Sequence, residues 1–217
     1  MYIKLTERCN MKCGHCAMAA TSKGRDMPFD IFKLAMDQAE RYGETVALGG
    51  GEPTLHPLFW QLIGYALSKD LEGSLWLATN GKRTKDALRL AALARNGTLG
   101  VALSQDEWHG KIDPRVVQAF TQKNDVTYHG GYNNPYPNDY REIRTVKEPY
   151  KAGRWTSGAR RCACPELVVD PDGAIRQCGC LDSPKLCHIR DGIRKEWIEP
   201  TEGCWKPEEP RQQEHAA

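Results

Sequence analysis

The sequence has no stretch of roughly 18 consecutive apolar residues, so it offers no membrane-spanning helix. Its start, Met1-Tyr2-Ile3-Lys4-Leu5, lacks the basic, apolar and small-residue stages of a signal peptide, and a reducing cytoplasm is the expected compartment. Charge of one sign is also scarce. Lys and Arg number 30 against 28 Asp and Glu, a formal balance of +2. That excludes a strongly basic nucleic-acid binder and an acidic disordered chain, so any attraction to phosphate has to be local. No glycine-rich phosphate fingerprint follows the first predicted strand, which argues against a flat dinucleotide-binding sheet. Nor is there an internal repeat. At 217 residues the chain suits one globular unit with a small appendage.

Cysteine is missing from the middle of the chain but crowded at its ends. Cys9, Cys13 and Cys16 are followed by none until Cys162, Cys164, Cys178, Cys180, Cys187 and Cys204. In a reducing compartment such usage points to metal, and an odd total of nine is awkward for a disulfide framework. An iron-sulfur cluster handles the odd number, because three thiolates can hold a four-iron cube with one iron left open. The first group, Cys9-x3-Cys13-x2-Cys16, suits that arrangement. Structural zinc is the competing reading, but it wants four protein ligands. His15 is the local candidate for the fourth, and its place between Gly14 and Cys16 suits packing over a cluster better than ligation.

Between the two cysteine groups, extended and helical patterns alternate. Residues 2–6 read as a strand and Thr6 to Arg25 as an irregular metal loop. Phe29, Phe32, Ala35, Met36 and Ala39 recur at helical spacing, with Pro28 suited to the first turn and Gly43 to the stop, which predicts a helix over 28–42. A buried strand over 45–48 runs into Gly49-Gly50-Gly51-Glu52-Pro53, and Leu58, Leu62, Ala66 and Leu67 mark a second helix. Strands over 74–79 and 98–104, helices over 84–95 and from Pro114 through Phe120, and a strand over 126–129 continue the series. Such alternation predicts an α/β fold with parallel strands and right-handed crossovers, best fitted by a partial (β/α)6 TIM-like barrel.

The pattern fails near Tyr132. Residues 132–161 read as a basic connector that crosses the sheet and can supply a last strand. Its cations, among them Arg141, Arg144 and Arg154, suit an anionic substrate. Tyr128, Tyr132, Tyr136, Tyr140, Tyr150 and Trp155 suit either a substrate groove or a cover for the barrel floor. Pro171-Asp172-Gly173 predicts a hairpin turn between 167–169 and 174–176. The expected division is 1–158 for the barrel, 159–206 for a cysteine-rich extension and 207–217 for a flexible tail.

The motifs fall at strand ends, where alpha/beta barrels position their chemistry. In Gly50-Gly51-Glu52-Pro53 the glycines permit close backbone approach and the carboxylate can hold a cation, although Gly-Gly-Glu alone also describes a turn. Asn80 follows the third strand as a ligand contact or as a turn former. Ser104 and Asp106 end the fourth strand, with Asp106 also suited to capping a helix. His109 can move a proton near neutral pH or sit on the surface.

These residues together resemble the radical S-adenosylmethionine superfamily. The resemblance implies that Cys9, Cys13 and Cys16 hold a [4Fe-4S] cluster whose open iron chelates the methionine part of S-adenosylmethionine. It implies that Gly50, Gly51, Glu52 and Pro53 bind the methionine ammonium, and that Asn80 and Ser104 contact cofactor. Asp106 and His109 are then the catalytic candidates. The implied activity is reductive cleavage to a 5'-deoxyadenosyl radical that removes a substrate hydrogen, with the protein placing the groups and excluding side reactions. His15 departs from the aromatic residue that many members carry before the third cysteine.

The late cysteines resemble the opening of SPASM and Twitch extensions through Cys162-x10-Gly173-x4-Cys178. That resemblance implies a second, auxiliary [4Fe-4S] cluster on Cys162, Cys178, Cys187 and Cys204, with Cys164 and Cys180 as possible replacements. Such a cluster turns hydrogen removal into net oxidation, so the expected function is oxidative modification of a ribosomally made peptide. Dehydrogenation of a small polar molecule, epimerisation with a free cysteine as hydrogen donor, and a noncatalytic electron carrier stay open. Expected partners are a peptide or small-molecule substrate and a reductant such as flavodoxin or ferredoxin. Because the first strand opens the sequence, peptide recognition is expected from a separate protein or from an open sheet edge. Nucleic acid is not an expected partner, for want of a Lys/Arg stripe.

Overall fold

The computed structural model describes residues 1–71, 75–122, 139–147, 153–156, 166–179 and 183–194. Strands and helices alternate from the first residues: β1 (Tyr2–Thr6), α1 (Phe29–Tyr42), β2 (Val46–Gly50), α2 (Phe59–Ala66), β3 (Leu75–Thr79), α3 (Thr84–Arg95), β4 (Gly100–Ser104) and α4 (Pro114–Thr121). A fifth strand, β5 (Arg141–Arg144), is followed by three short ones, β6 (Val168–Val169), β7 (Ala174–Arg176) and β8 (Lys185–His188). All eight form one sheet in the order β5-β4-β3-β2-β1-β6-β7-β8. Neighbours from β5 to β6 run parallel, and β7 and β8 pair antiparallel.

The helical stripe read from the sequence is the buried face of α1: Ile31, Phe32, Ala35, Met36 and Ala39. Gly43 ends that helix in the left-handed region at φ 64°, where its N–H and that of Glu44 close on Glu40 and Ala39 carbonyls. Strand alternation divides the sheet into two faces. Ile3, Leu5, Val46, Leu48, Leu77, Val101 and Leu103 join the apolar core with the helices. Residues of the opposite parity, including Tyr2, Ala78, Ser104 and Arg144, line a cavity on the other side.

The β6–β7 hairpin turns where the Asp-Gly pair predicts, with Gly173 at φ 82°. It continues the barrel sheet along the free side of β1. A buried ion network holds this seam. Lys4 on β1 donates to Asp170 at 2.7 Å, and Arg176 on β7 reaches the other carboxylate oxygen at 2.5 Å. Arg25 to Asp172, Arg190 to Asp30, and the Tyr42 hydroxyl to the Ile193 carbonyl add three more ties.

Three expectations need correction or placement. Pro28 sits at the cap of α1 rather than inside its first turn. The fifth parallel strand comes from the connector, and its Arg141 faces α4 rather than the cavity. Its guanidinium is buried against Asp139 at 2.6 Å and the Ala119 and Gln122 carbonyls, because a buried cation needs its charge and donors satisfied. The strand expected over 126–129 lies outside the described residues.

Asp170→Asn leaves Lys4 buried without its counter-charge. The expected loss is about 3 kcal/mol of unfolding free energy in urea titration, and adding Lys4→Met to Asp170→Asn recovers the part due to the buried Lys4 charge, leaving the half-buried Arg176 without its ion pair.

Candidate active site

The first cysteine loop is held by its ends. Thr6 and Arg8 both bond Asp26, at 2.7 and 3.0 Å, and Arg8 also donates to the Leu55 carbonyl at 2.6 Å. The Cys9 N–H closes on the Thr21 carbonyl at 2.6 Å, and turns at Cys13–Cys16 and Cys16–Ala19 fold the segment between. Gly153 packs on this loop from above. Its φ is 57°, and a Cβ there would stand 2.3 Å from the Cys16 and Ala17 carbonyl oxygens. The next residue, Arg154, donates its N–H to Cys16 at 3.1 Å and its guanidinium to the Ala20 carbonyl.

Cys9, Cys13 and Cys16 line a cavity of about 210 Å³ together with Gly50, Gly51, Glu52, Asn80, Ser104, Asp106 and His109. Tyr2, His15, Thr79, Arg144 and Val146 complete much of the wall. Pro53 stands behind it, buried at the start of a 3-10 turn over Pro53–Leu55. Residues spread over more than 130 positions of sequence thus meet because parallel strands present their carboxyl ends at one rim.

The glycines have an internal reason. A Cβ at Gly50 would lie 2.2 Å from the Thr6 carbonyl oxygen, and one at Gly51 would lie 2.1 Å from that of Arg8. Close approach is therefore required by β1 and the chain after it. Glu52 is 1% exposed, and its carboxylate accepts from the Thr54 hydroxyl at 2.6 Å, Thr79 hydroxyl at 2.8 Å and Asn80 N–H at 2.7 Å. Burial pushes its pKa up, while these donors oppose the shift. Asn80 in turn donates to Asn10 at 2.9 Å and to the Cys9 sulfur at 3.6 Å.

Asp106 is a second hub. It accepts from His109 Nδ1 at 2.6 Å, the Trp108 N–H at 3.0 Å and the Val146 N–H beyond β5 at 3.0 Å. Burial works against its charged form, but these bonds outweigh that and hold the carboxyl below its ordinary range. His109 stacks edge-on to His15 with centroids 5.0 Å apart, and Trp108 meets Trp155 at 4.9 Å. Ligand atoms of His15, Asp106 and His109 lie within 4.8 Å of one another. Both Asp106 oxygens and His109 Nδ1 are already bonded, so this trio is a hydrogen-bonded dyad with a ring packed on it. His15 lines the cavity as packing implies, its pKa pushed down by burial and then by His109.

The residues fit an iron-sulfur group held by three thiolates. The thiols share one wall and are free, and Cys9 Sγ receives N–H donors from Met11 at 3.4 Å and Asn80 at 3.6 Å, as cluster sulfurs do. Burial pushes the Cys9 and Cys13 thiols up, so metal binding would have to displace their protons. Cys178 and Cys187 lie away from the cavity lining. Cys178, buried, follows β7 and bonds Ser183; Cys187, on β8, pairs in register with Ile175. Cys162, Cys164, Cys180 and Cys204 lie outside the described residues.

Residues 3–123 match the radical SAM superfamily. The chain belongs to that family. Among curated relatives, the tungsten-containing aldehyde ferredoxin oxidoreductase cofactor-modifying protein of Pyrococcus furiosus is 33% identical over 110 residues, 49% of this chain and 30% of the relative. The mycofactocin maturase MftC of Mycolicibacterium smegmatis is 30% identical over 115 residues, 52% of this chain and 29% of the maturase. Each match thus spans about a third of the relative's length. In fold, BtrN solved with AdoMet and 2-DOIA superposes with a TM-score of 0.62 at 15% identity, covering 88% of this chain and 78% of that one. The anSMEcpe structure with AdoMet and a peptide gives 0.58 at 19% identity, covering 92% and 79%. The α/β sheet of this radical SAM protein is therefore the family's partial barrel, and membership implies a [4Fe-4S] cluster and S-adenosylmethionine.

Sequence reasoning missed Tyr2, Thr54, Val146 and Gly153, and it offered Arg154 and Trp155 for substrate rather than for the clamp they form with Gly153 over the cysteine loop and Trp108. Strand parity singles out Tyr2, whereas nothing local marks the clamp.

Asp106→Ala removes one acceptor from three donors and is expected to cost about 1–3 kcal/mol in urea unfolding at neutral pH. Because the folded carboxyl pKa lies below the unfolded one, this part of wild-type stability is present above the unfolded value and fades as pH falls through the folded one. The gap between the two proteins should therefore shrink in acid.

Proposed function

We propose that this radical SAM enzyme carries out oxidative modification of a ribosomally synthesised peptide. The observation that carries the reading is the single cavity that joins Cys9, Cys13 and Cys16 to the Gly50–Glu52 turn and to the Asp106–His109 dyad. When bound, the cluster and S-adenosylmethionine supply a carbon radical that removes a hydrogen atom from substrate. This chain's residues do the rest. Cys9, Cys13 and Cys16 hold the cluster, and the buried Glu52 carboxylate with Gly50 and Gly51 takes the methionine ammonium, while Pro53, behind the cavity wall, starts the turn that supports them. Asn80 and Ser104 contact the cofactor. His109, oriented through Nδ1 by Asp106, accepts the proton released when the substrate is oxidised.

The peptide substrate is supported by company and by topology. The neighbour anSMEcpe was solved with AdoMet and a peptide bound, and several sequence relatives are mycofactocin maturases. Among the described residues β5 is an edge strand next to the cavity, where an extended chain can pair. An auxiliary [4Fe-4S] cluster on Cys162, Cys178, Cys187 and Cys204 would take the substrate electron. Flavodoxin or ferredoxin supplies the first electron, a separate protein can present the peptide, and the setting is the cytoplasm. BtrN, with its 2-DOIA, favours a second reading: dehydrogenation of a small polar intermediate.

Anaerobic reconstitution tests the cofactor content. About eight iron and eight sulfide per chain are expected, the sum for two four-iron clusters; about four would refute the auxiliary cluster. Replacing Cys9, Cys13 and Cys16 with Ala should abolish 5'-deoxyadenosine formation, and persistence at the normal rate would overturn the radical assignment. His109→Gln should leave 5'-deoxyadenosine formation intact and cut modified peptide per turnover by about 100-fold or more, read by mass spectrometry.

A further inference from the structure

Tyr2 opens β1, far in sequence from the motifs assigned above, yet it lines the same cavity. Its hydroxyl accepts the Gly50 N–H at 2.7 Å. Its ring fills the space that Gly49 leaves, since a Cβ there would lie 2.0 Å from the hydroxyl oxygen. Gly50 itself has φ 124°, a conformation that no side chain supports, so its peptide is oriented by what it bonds.

Three N–H groups tie this turn to β1 and the residues after it. Gly50 donates to Tyr2, Gly51 to the Thr6 carbonyl at 2.8 Å, and Glu52 to the Arg8 carbonyl at 2.7 Å. The first alone uses a side chain, so it can be removed without disturbing the backbone of β1. Burial raises the phenol to about 12 against the opposing Gly50 bond, which keeps it protonated at ordinary pH. Among the described residues none takes its own proton, which is free to be donated within the cavity.

We propose that Tyr2 is a positioning residue: it fixes the Gly50 peptide and through it the orientation of the Gly51-Glu52 turn toward bound S-adenosylmethionine. The inference rests on the reading of that turn as the methionine subsite. It differs from a packing role because it resides in the hydrogen bond of one oxygen atom, while the ring, with Cζ 2.6 Å from where a Gly49 Cβ would stand, packs beside Gly49 with or without that bond.

Tyr2→Phe removes that oxygen and keeps the ring. In the anaerobically reconstituted full chain, S-adenosylmethionine affinity is read from its effect on the electron paramagnetic resonance of the reduced cluster. The expected result is a Kd raised about three- to tenfold, with iron content and Tm close to wild type. An unchanged Kd overturns the proposal, and so does a fall in Tm and iron content with normal affinity in the folded fraction. Glu52→Gln separates this from failure of the underlying reading. If that variant binds as wild type does, or wild type shows no response to S-adenosylmethionine, the subsite assignment falls and the Tyr2 role with it. Normal binding in Tyr2→Phe beside weak binding in Glu52→Gln removes the Tyr2 role alone.

Discussion

The structure depends on how closely β2 can approach β1 as both strands end. Gly49, Gly50 and Gly51 present no side chains, and the space they leave is occupied by the Tyr2 ring and the Thr6 and Arg8 carbonyls. That approach lets the Glu52 N–H reach the Arg8 carbonyl, just before Cys9. It also drives the Glu52 side chain inward, where only a fully bonded carboxylate is tolerable. Donors from Thr54, Thr79 and Asn80 meet the requirement, and Asn80 extends the network to Asn10 and Cys9. One steric condition at β1 and β2 therefore sets the relation of the cysteine loop to the ends of two more strands.

Much of this was legible beforehand, for identifiable reasons. The helical stripe of α1, the helix over 84–95 and the hairpin around Gly173 are local patterns, and local patterns survive into the fold. The cysteine spacing, Gly-Gly-Glu turn, Asn80, Ser104, Asp106 and His109 were readable as candidates because each ends a strand, and parallel strands share a rim. Less legible was what each group bonds. Arg141 belongs to a run of cations that suits an anionic substrate, yet β5 turns its side chain toward α4 and into an ion pair with Asp139. Gly153-Arg154-Trp155 sits in a stretch without period or motif, and its contact with the cysteine loop is a tertiary event. The β8 strand, Lys185–His188, is short and has mixed polarity, and its identity comes from pairing with β7 rather than from propensity.

Family membership covers the barrel more firmly than the extension. The superfamily match ends at residue 123, whereas β6, β7 and β8 come later and join the same sheet. Physically the extension is not a loosely tethered unit. It shares a parallel ladder with β1, a buried ion network through Lys4, and contacts from Arg190 and the Ile193 carbonyl to Asp30 and Tyr42 of α1. Cys178, just after β7, and Cys187, on β8, thus sit on a sheet continuous with β1, the strand from which the first cysteine loop leads.

A single device recurs along that support. Parallel strands leave N–H groups and cations at their ends without ladder partners, and at three seams a buried carboxylate gathers them. Glu52 joins the end of β2 to β3, Asp106 joins the end of β4 to the residue beyond β5, and Asp170 joins the end of β6 to β1 and β7. A carboxylate suits the position because its two oxygens accept several donors in different directions, whereas a neutral amide would bring donors of its own into a place already crowded with them. Desolvating the charge is costly unless every oxygen is bonded, so each staple holds only in one arrangement of its neighbours. The same requirement that makes these residues expensive to bury makes the rim stiff. Stiffness is what a site needs if it is to hold reactive groups in fixed relation and keep them from the wrong bond.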